Sequence, residues 1–360
     1  MTGIVSQQNV NTGRQVEWDF AKVFAIALMI ITHYFAFCSF GNLDYGKLTV
    51  AMFILTQYSA PIFMFAMGVG MVYTRHNSPK EFVVRGIKLL CLGFIINTLY
   101  FLSNYGAGVP LEYSLLSFMA NDILQFAGIS FILIGIFKKL NLTAFQMLLI
   151  AIGFSLIASY LTDFSFFNMY INQFLGNFIG TKGQNIVSCF PVLNWFIMPV
   201  CGMMFGKDLI RCSDKDELYG KIIKPSGILT LIMLIVGFIT TKGMFSTTGG
   251  TVPEKLGYLH SYLPDIIILI IASLFIASVF YFISKKLSSK FTDFITRTSS
   301  EVTVIYIIQW VLILSLTYIN QFLQIEATLP IAIVVLLFIM IASLGLSRIF
   351  VGFKNYLSSS

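Results

Sequence analysis

Long apolar runs, separated by loops of varying length, recur along the whole chain. A helix needs about 20 mainly apolar residues to cross a bilayer. One run, at 226–241, is short for a crossing, which leaves open a start in the preceding Lys224–Pro225 segment. The pattern predicts an all-α, polytopic membrane helix bundle of about ten transmembrane helices. They are expected at roughly 20–40, 51–74, 83–103, 118–137, 143–161, 186–206, 226–241, 264–284, 302–320 and 329–349.

The basic residues select an orientation for these helices. When the N-terminus is placed in the cytoplasm and the runs alternate, all but four of the 23 Lys and Arg residues lie on the cytoplasmic side. The positive-inside rule predicts such a bias. Both termini are therefore predicted to be cytoplasmic, with residues 1–18 and 351–360 as tails and 19–350 as the membrane domain. The four exceptions are Lys47, Lys182, Lys242 and Lys255.

Composition agrees with this assignment and excludes several classes of function. Hydrophobic residues make up 57% of the chain and charged residues 11%, whereas soluble domains carry about 25% charged residues. A multi-pass protein of the cell membrane, surrounded by the lipid bilayer, is expected. The net charge of +7 does not indicate nucleic acid, because no aromatic residues interleave with the basic ones as a base-stacking platform requires. Five cysteines without CxxC pairing and three histidines predict no metal site.

Three ionisable residues of the first run lie on one helical face. Asp19 and Lys22 are one turn apart, and His33 follows Lys22 by close to three full turns. With Asp19 at the inner surface, His33 lies about 20 Å higher, in the outer half of the bilayer. An ionisable residue at that depth is costly and marks a functional site. His33 is interpreted as a general base or proton carrier, and the alternative is a neutral histidine that bonds a neighbouring helix.

This spacing resembles the first helix of membrane acyltransferase family 3. That family carries an Asp, a basic residue three positions later and a His fourteen positions after the Asp. Asp19, Lys22 and His33 fit, with Lys for the usual Arg and Val23 for the common small Gly. Other segments, in the same order, are similar to the heparan-alpha-glucosaminide N-acetyltransferase family and to poorly characterised bacterial relatives. They are SAPIFMFAMGVGMVYTR, FVVRGIKLLCLGFIIN, NDILQFAGISFILIGIF, FPVLNWFIMPVCGMMFG and EVTVIYIIQWVLI.

The resemblance implies an integral membrane acyltransferase. An acyl group, expected to be acetyl, would move from cytoplasmic acyl-CoA to a sugar, glycan or other small-molecule acceptor at the outer face. His33 is the implied catalytic residue, with Asp19 as a second. The lysosomal enzyme places its catalytic His after the first helix, but residues 41–50 contain no His here. As a general base, His33 would take the proton of the acceptor hydroxyl or amine, and an acyl-histidine intermediate is an alternative.

Polar residues of two later runs are further candidates. Asp122 and Gln125, near the outer end of the fourth run, lie at a depth comparable to His33 and would orient its imidazole. This makes Asp122 a third predicted catalytic residue. The alternative is that Asp122 caps its helix at the N-terminus. Tyr306 and Gln309, one turn apart in the ninth run, either face the cavity or bridge helices.

Coenzyme A carries phosphates that need cations on the cytoplasmic side. Lys22, Arg85 and Lys88 are predicted to supply them. Arg85 and Lys88 lie on one face early in the third run. The alternative for each of the three cations is a positive-inside anchor whose charged end reaches the membrane interface.

A different class of function stays open from the residues alone. His33, Asp122 and Asp265 would mark a proton path in a proton-coupled transporter or flippase of a small solute. The sequence shows no internal repeat of the kind that transporters often have. A third hypothesis is a family member that binds acyl-CoA as a sensor without turnover. Assembly into a homo-oligomer is left open.

Overall fold

The structure is a computed structural model that describes residues 6, 8–37, 57–161, 164–180, 189–240, 263–323 and 328–359. It is 83% helical, and the described residues contain no strand, which confirms the predicted all-α class. In chain order the helices are α1 (Val16–Phe37), α2 (Ser59–Tyr73), α3 (Pro79–Gly106), α4 (Leu111–Phe118), α5 (Ile123–Lys139), α6 (Ala144–Leu161), α7 (Met169–Ile179), α8 (Val192–Trp195), α9 (Ile197–Ile210), α10 (Lys215–Thr240), α11 (Leu263–Ser284), α12 (Ser289–Ser300), α13 (Val302–Leu323) and α14 (Leu329–Ser359).

Six helices of the described part of the chain are long and apolar enough to cross a membrane: α1, α3, α6, α11, α13 and α14. The pair α4 and α5, bent by 46°, makes a seventh crossing if it acts as one broken span. The apolar helices α2 and α9 have 15 and 14 residues. These helices indicate a multi-pass membrane protein. The count of ten crossings and the cytoplasmic position of both termini stay predictions.

The chain forms two compact units. The first unit consists of Met1–Arg14 and Met64–Ser278, and the second of Gln15–Phe63 and Val279–Ser360. The second unit therefore combines the first helix of the chain with its last three. The limits expected for a single membrane domain, residues 19–350, stay a prediction.

In the first unit, α3 and α5 pack backbone against backbone. A Cβ atom on Gly86 would lie 2.6 Å from the carbonyl oxygen of Gly128, and one on Gly135 would lie 2.9 Å from that of Pro79. Early residues of α3 thus meet late residues of α5, so the two helices are antiparallel. Small residues permit this close approach, which drives helix association in lipid, where the hydrophobic effect between helices is absent.

The break between α4 and α5 is held by asparagine side chains. The Nδ2 group of Asn97 on α3 donates to the carbonyl oxygens of Phe118 and Ala120 at 2.9 and 2.8 Å. Asn177 on α7 donates to the carbonyl oxygen of Met119 at 2.8 Å. An unsatisfied backbone group in a bilayer costs several kcal/mol. These amides therefore permit a helix break within the membrane domain.

In the second unit, α1 and α13 run parallel. His33 of α1 meets Gln309 of α13, and further along both helices Thr317 Oγ1 donates to the carbonyl oxygen of Phe37 at 3.1 Å. The contacts advance along both helices together. Parallel neighbours cross a membrane in the same sense, which is the relation expected of the first and ninth of ten alternating crossings.

Candidate active site

His33 lies in the second unit against three side chains of α13. Its Nδ1 is 2.8 Å from Nε2 of Gln309. Its ring stacks on the Trp310 indole, with centroids 4.0 Å apart and planes at 28°, and meets the Tyr306 ring edge-on at 6.1 Å. The three partners share one face of α13, because they follow the i, i+3, i+4 spacing of helical neighbours. The sequence singled out Tyr306 and Gln309 without pairing them with His33, and it missed Trp310.

Burial differs sharply between the histidine and its partners. Gln309, Trp310 and Tyr306 are only 0%, 1% and 3% exposed, whereas His33 is partly exposed. Among the described residues, Gln309 is the one hydrogen-bond partner of the imidazole. The ring is thus held through Nδ1 and one face, and Nε2 has no hydrogen-bond partner among the described residues.

The amide of Gln309 determines which nitrogen of His33 carries the proton. If the amide N–H donates to Nδ1, the neutral imidazole keeps its proton on Nε2. If the amide is turned by 180°, Oε1 accepts from Nδ1–H and Nε2 has a free lone pair. The two orientations fit the same contact, since they exchange only the amide oxygen and nitrogen. The second orientation makes Nε2 of His33 a base.

Asp19 and Lys22 lie near the start of α1, apart from His33. Asp19 is buried, and its Oδ1 accepts a hydrogen bond from Ser299 Oγ at 2.6 Å. Lys22 Nζ is 3.8 Å from the same oxygen. The fourteen residues from Asp19 to His33 correspond to about 21 Å of helix. These contacts assign Asp19 to the anchoring of α1 on the end of α12, and its catalytic role stays a prediction.

A buried carboxylate lies at the junction of α12 and α13. Glu301 accepts from the Arg348 guanidinium at 2.7 Å and from Ser347 Oγ at 3.0 Å, and Arg297 Nε is 3.6 Å away. Arg348 also donates to Thr298 Oγ1 at 2.7 Å. The network ties α14 to the α12–α13 corner at the end of the second unit where α1 begins. No sequence pattern singles out Glu301, and the positive-inside bias alone accounts for both arginines as topology markers.

Asp122 lies in the first unit, where it caps α5. Its Oδ1 accepts from the backbone N–H of Ile123 at 2.7 Å. The Gln125 side chain accepts from the Asp122 N–H at 3.3 Å and completes a capping box. The capping interpretation is confirmed. A part for Asp122 in orienting His33 stays a prediction.

Arg85 and Lys88 are exposed side chains of the first unit. They lie three residues apart on α3 and so share one face. The guanidinium carbon of Arg85 lies 4.6 Å from the centroid of the Phe131 ring. Within the described parts of the chain neither cation forms an ion pair. Two exposed, uncompensated cations on one helix face suit phosphate groups chemically. Lys22, the third predicted cation, belongs to the second unit.

Comparison with known families gives a match over the larger, N-terminal part of this chain. Residues 14–237 match the family model described as heparan-alpha-glucosaminide N-acetyltransferase, catalytic. The matched range contains His33, Asp19 and all three predicted phosphate-binding cations, but it ends before Gln309 and its neighbours. A search of curated proteins and a search of solved structures found no match.

Proposed function

The chain belongs to the heparan-alpha-glucosaminide N-acetyltransferase family, and from this we propose that it is a membrane acetyltransferase with His33 as its general base. The family match covers more than half of the 360 residues. The observation that carries the proposal is the fixed imidazole. His33 is held by Gln309 through one nitrogen and by Trp310 through one face, and the residue as a whole is partly exposed.

The proposed reaction is a direct acyl transfer. The acceptor hydroxyl or amine gives its proton to Nε2 of His33 while its oxygen or nitrogen attacks the thioester carbonyl. The carbon–sulfur bond then breaks, and the leaving thiolate takes the proton back from the imidazolium. Gln309 Oε1, which accepts from Nδ1–H, holds the ring in the required tautomer. Trp310 and Tyr306 pack against the ring and keep water from that side.

The proposed donor is acyl-CoA, with acetyl-CoA expected from the family. Arg85 and Lys88 of the first unit are proposed as phosphate contacts, since exposed cations suit phosphate, and Lys22 of the second unit stays a separate prediction. The side chain of Lys22 is 26% exposed and lies about 16 Å of helix below His33. Coenzyme A carries its thioester at the end of a long arm, so its phosphates and acyl group act at different depths. A donor from the cytoplasmic side and a sugar or glycan acceptor at the opposite face are therefore proposed.

The test of this function uses the purified chain in proteoliposomes with acetyl-CoA labelled in the acetyl group. Amino sugars and hydroxylated glycans are offered on the opposite side of the membrane. Labelled product is expected, or slow hydrolysis when no acceptor is present. A protein that neither binds nor turns over acetyl-CoA under these conditions contradicts the proposal. Solute flux in the same vesicles without any acyl-CoA would favour transport instead.

Gln309→Leu is expected to lower kcat by about tenfold, because the loss of one hydrogen bond of roughly 1.4 kcal/mol releases the required tautomer. KM should change little if the bond acts in the transition state only. Gln309→Glu keeps an oxygen for Nδ1–H and should retain most of the activity. Gln146→Leu, at an exposed amide of α6, is the control. Melting temperatures are measured for all three variants. A Gln309→Leu protein with a lower melting temperature but an unchanged kcat would contradict the positioning role.

A further inference from the structure

Helix α12 lies at the membrane surface. Its 12 residues are too few to cross a bilayer, and it connects α11 and α13, which are both apolar enough to cross one. Because α11 ends at Ser284 and α13 begins at Val302, the connecting helix lies outside the hydrocarbon core. The hydrogen bond from Ser299 to Asp19 places it on the side where α1 begins.

One side of α12 is buried and the adjoining side is aromatic. Ile295, Thr298 and Ser299 are buried. Successive helical residues are about 100° apart, and this places Phe291 between Thr298 and Ile295, with Phe294 beside them. The two phenylalanines are 43% and 44% exposed. Two large exposed rings on a surface helix suit an environment that is partly apolar.

The next side of α12 is cationic. Around the helix axis, Lys290 and Arg297 lie about 40° and 60° from Phe294, on the side away from Phe291. Arg297 is 65% exposed, and Lys290 is exposed together with Lys285 and Lys286 of the preceding turn. Among residues 285–300 the one acidic residue is Asp293. The segment thus presents a net positive charge directly beside its exposed aromatic rings.

We propose that α12 binds the anionic phospholipid headgroups of the leaflet that faces it. Phe291 and Phe294 enter the boundary between headgroups and acyl chains, while Lys285, Lys286 and Lys290 contact the lipid phosphates. Amphipathic helices with aromatic residues on one side and lysines on the next bind membrane interfaces in this way. The charge of the segment fits as well, because basic residues near an anionic leaflet are attracted to its surface.

The test compares two triple variants of the whole chain. K285Q/K286Q/K290Q removes the lysines of the proposed lipid surface. K80Q/K139Q/K354Q removes three exposed lysines of other helices and changes the net charge equally. Phosphatidylglycerol binding is measured by native mass spectrometry, with phosphatidylcholine as the zwitterionic reference. At low salt we expect the first variant to lose about fivefold in affinity per lysine, roughly 100-fold in all, and the second to bind like the unmodified chain.

Equal losses in the two triple variants would overturn the proposal, because net charge alone would then explain the binding. Inorganic phosphate that competes as well as phosphatidylglycerol would also overturn it, since the surface would then bind a free anion and not a lipid. If the triple variant does not fold, K290Q carries the same test with an expected loss of about fivefold. Phe294→Ser, which removes an exposed ring, should weaken phosphatidylglycerol binding without changing the charge.

Discussion

Replacement of His33 by Ala is expected to lower kcat for acetyl transfer by about 10²–10⁴-fold, the range that a positioned general base contributes. The physical reason is that the acceptor hydroxyl or amine then has no group to take its proton as it attacks the thioester. Imidazole added to His33→Ala should restore part of the rate, because the substitution leaves a space beside Trp310. The measurement is the steady-state rate with labelled acetyl-CoA.

His76→Ala is the matched control for this prediction. His76 is exposed and lies 2.8 Å from Glu81 at the start of α3, so its loss should leave kcat unchanged. Rapid quenching separates direct transfer from a route through an acyl-histidine. Only the acyl-histidine route leaves label bound to the wild-type protein, and His33→Ala should then carry no label. Full activity of His33→Ala would refute the assignment of the base and leave the family membership intact.

Replacement of Arg348 by Leu is expected to destabilise the protein by about 3 kcal/mol, the lower end of the range for breaking a buried ion pair. The carboxylate of Glu301 would stay buried without its closest cation, and Arg297, at 3.6 Å and largely exposed, compensates only in part. The free energy of unfolding is measured in detergent by denaturant titration.

The double variant Glu301→Gln/Arg348→Leu should recover much of that loss, because it removes the buried charge together with its partner. Arg75→Leu is the control, since Arg75 is exposed and a surface substitution costs about 0.5 kcal/mol or less. If Arg75→Leu and Arg348→Leu destabilise equally, the network around Glu301 does not hold the corner between α12 and α13.

Helix positions were largely predictable, because hydropathy is a local property. The runs at 83–103 and 143–161 coincide with α3 and α6. The run at 118–137 contains the bend between α4 and α5, which hydropathy does not reveal. That break depends on hydrogen bonds from Asn97 and Asn177, which are distant in sequence. Without these partners, a continuous helix is the simpler expectation.

The candidate site was only half predictable. His33 was found because an ionisable side chain inside an apolar run is costly. Its pairing with Gln309 depends on α1 and α13 being neighbours, and no local pattern encodes that. Trp310 was missed because an aromatic residue in an apolar run resembles any other lipid-facing or core residue. Glu301 and Arg348 were missed because charges near helix ends first indicate topology.

The contact between His33 and Gln309 joins residues 276 positions apart, and this has a consequence for biosynthesis. At 5–20 residues per second, a ribosome needs roughly 15–55 s to proceed from one to the other. During that interval α1 is already made, while the helix that fixes its imidazole is not. A nascent chain that stops before α13 carries the proposed base without the amide that orients it. The proposed base is therefore oriented only after α13 has been made.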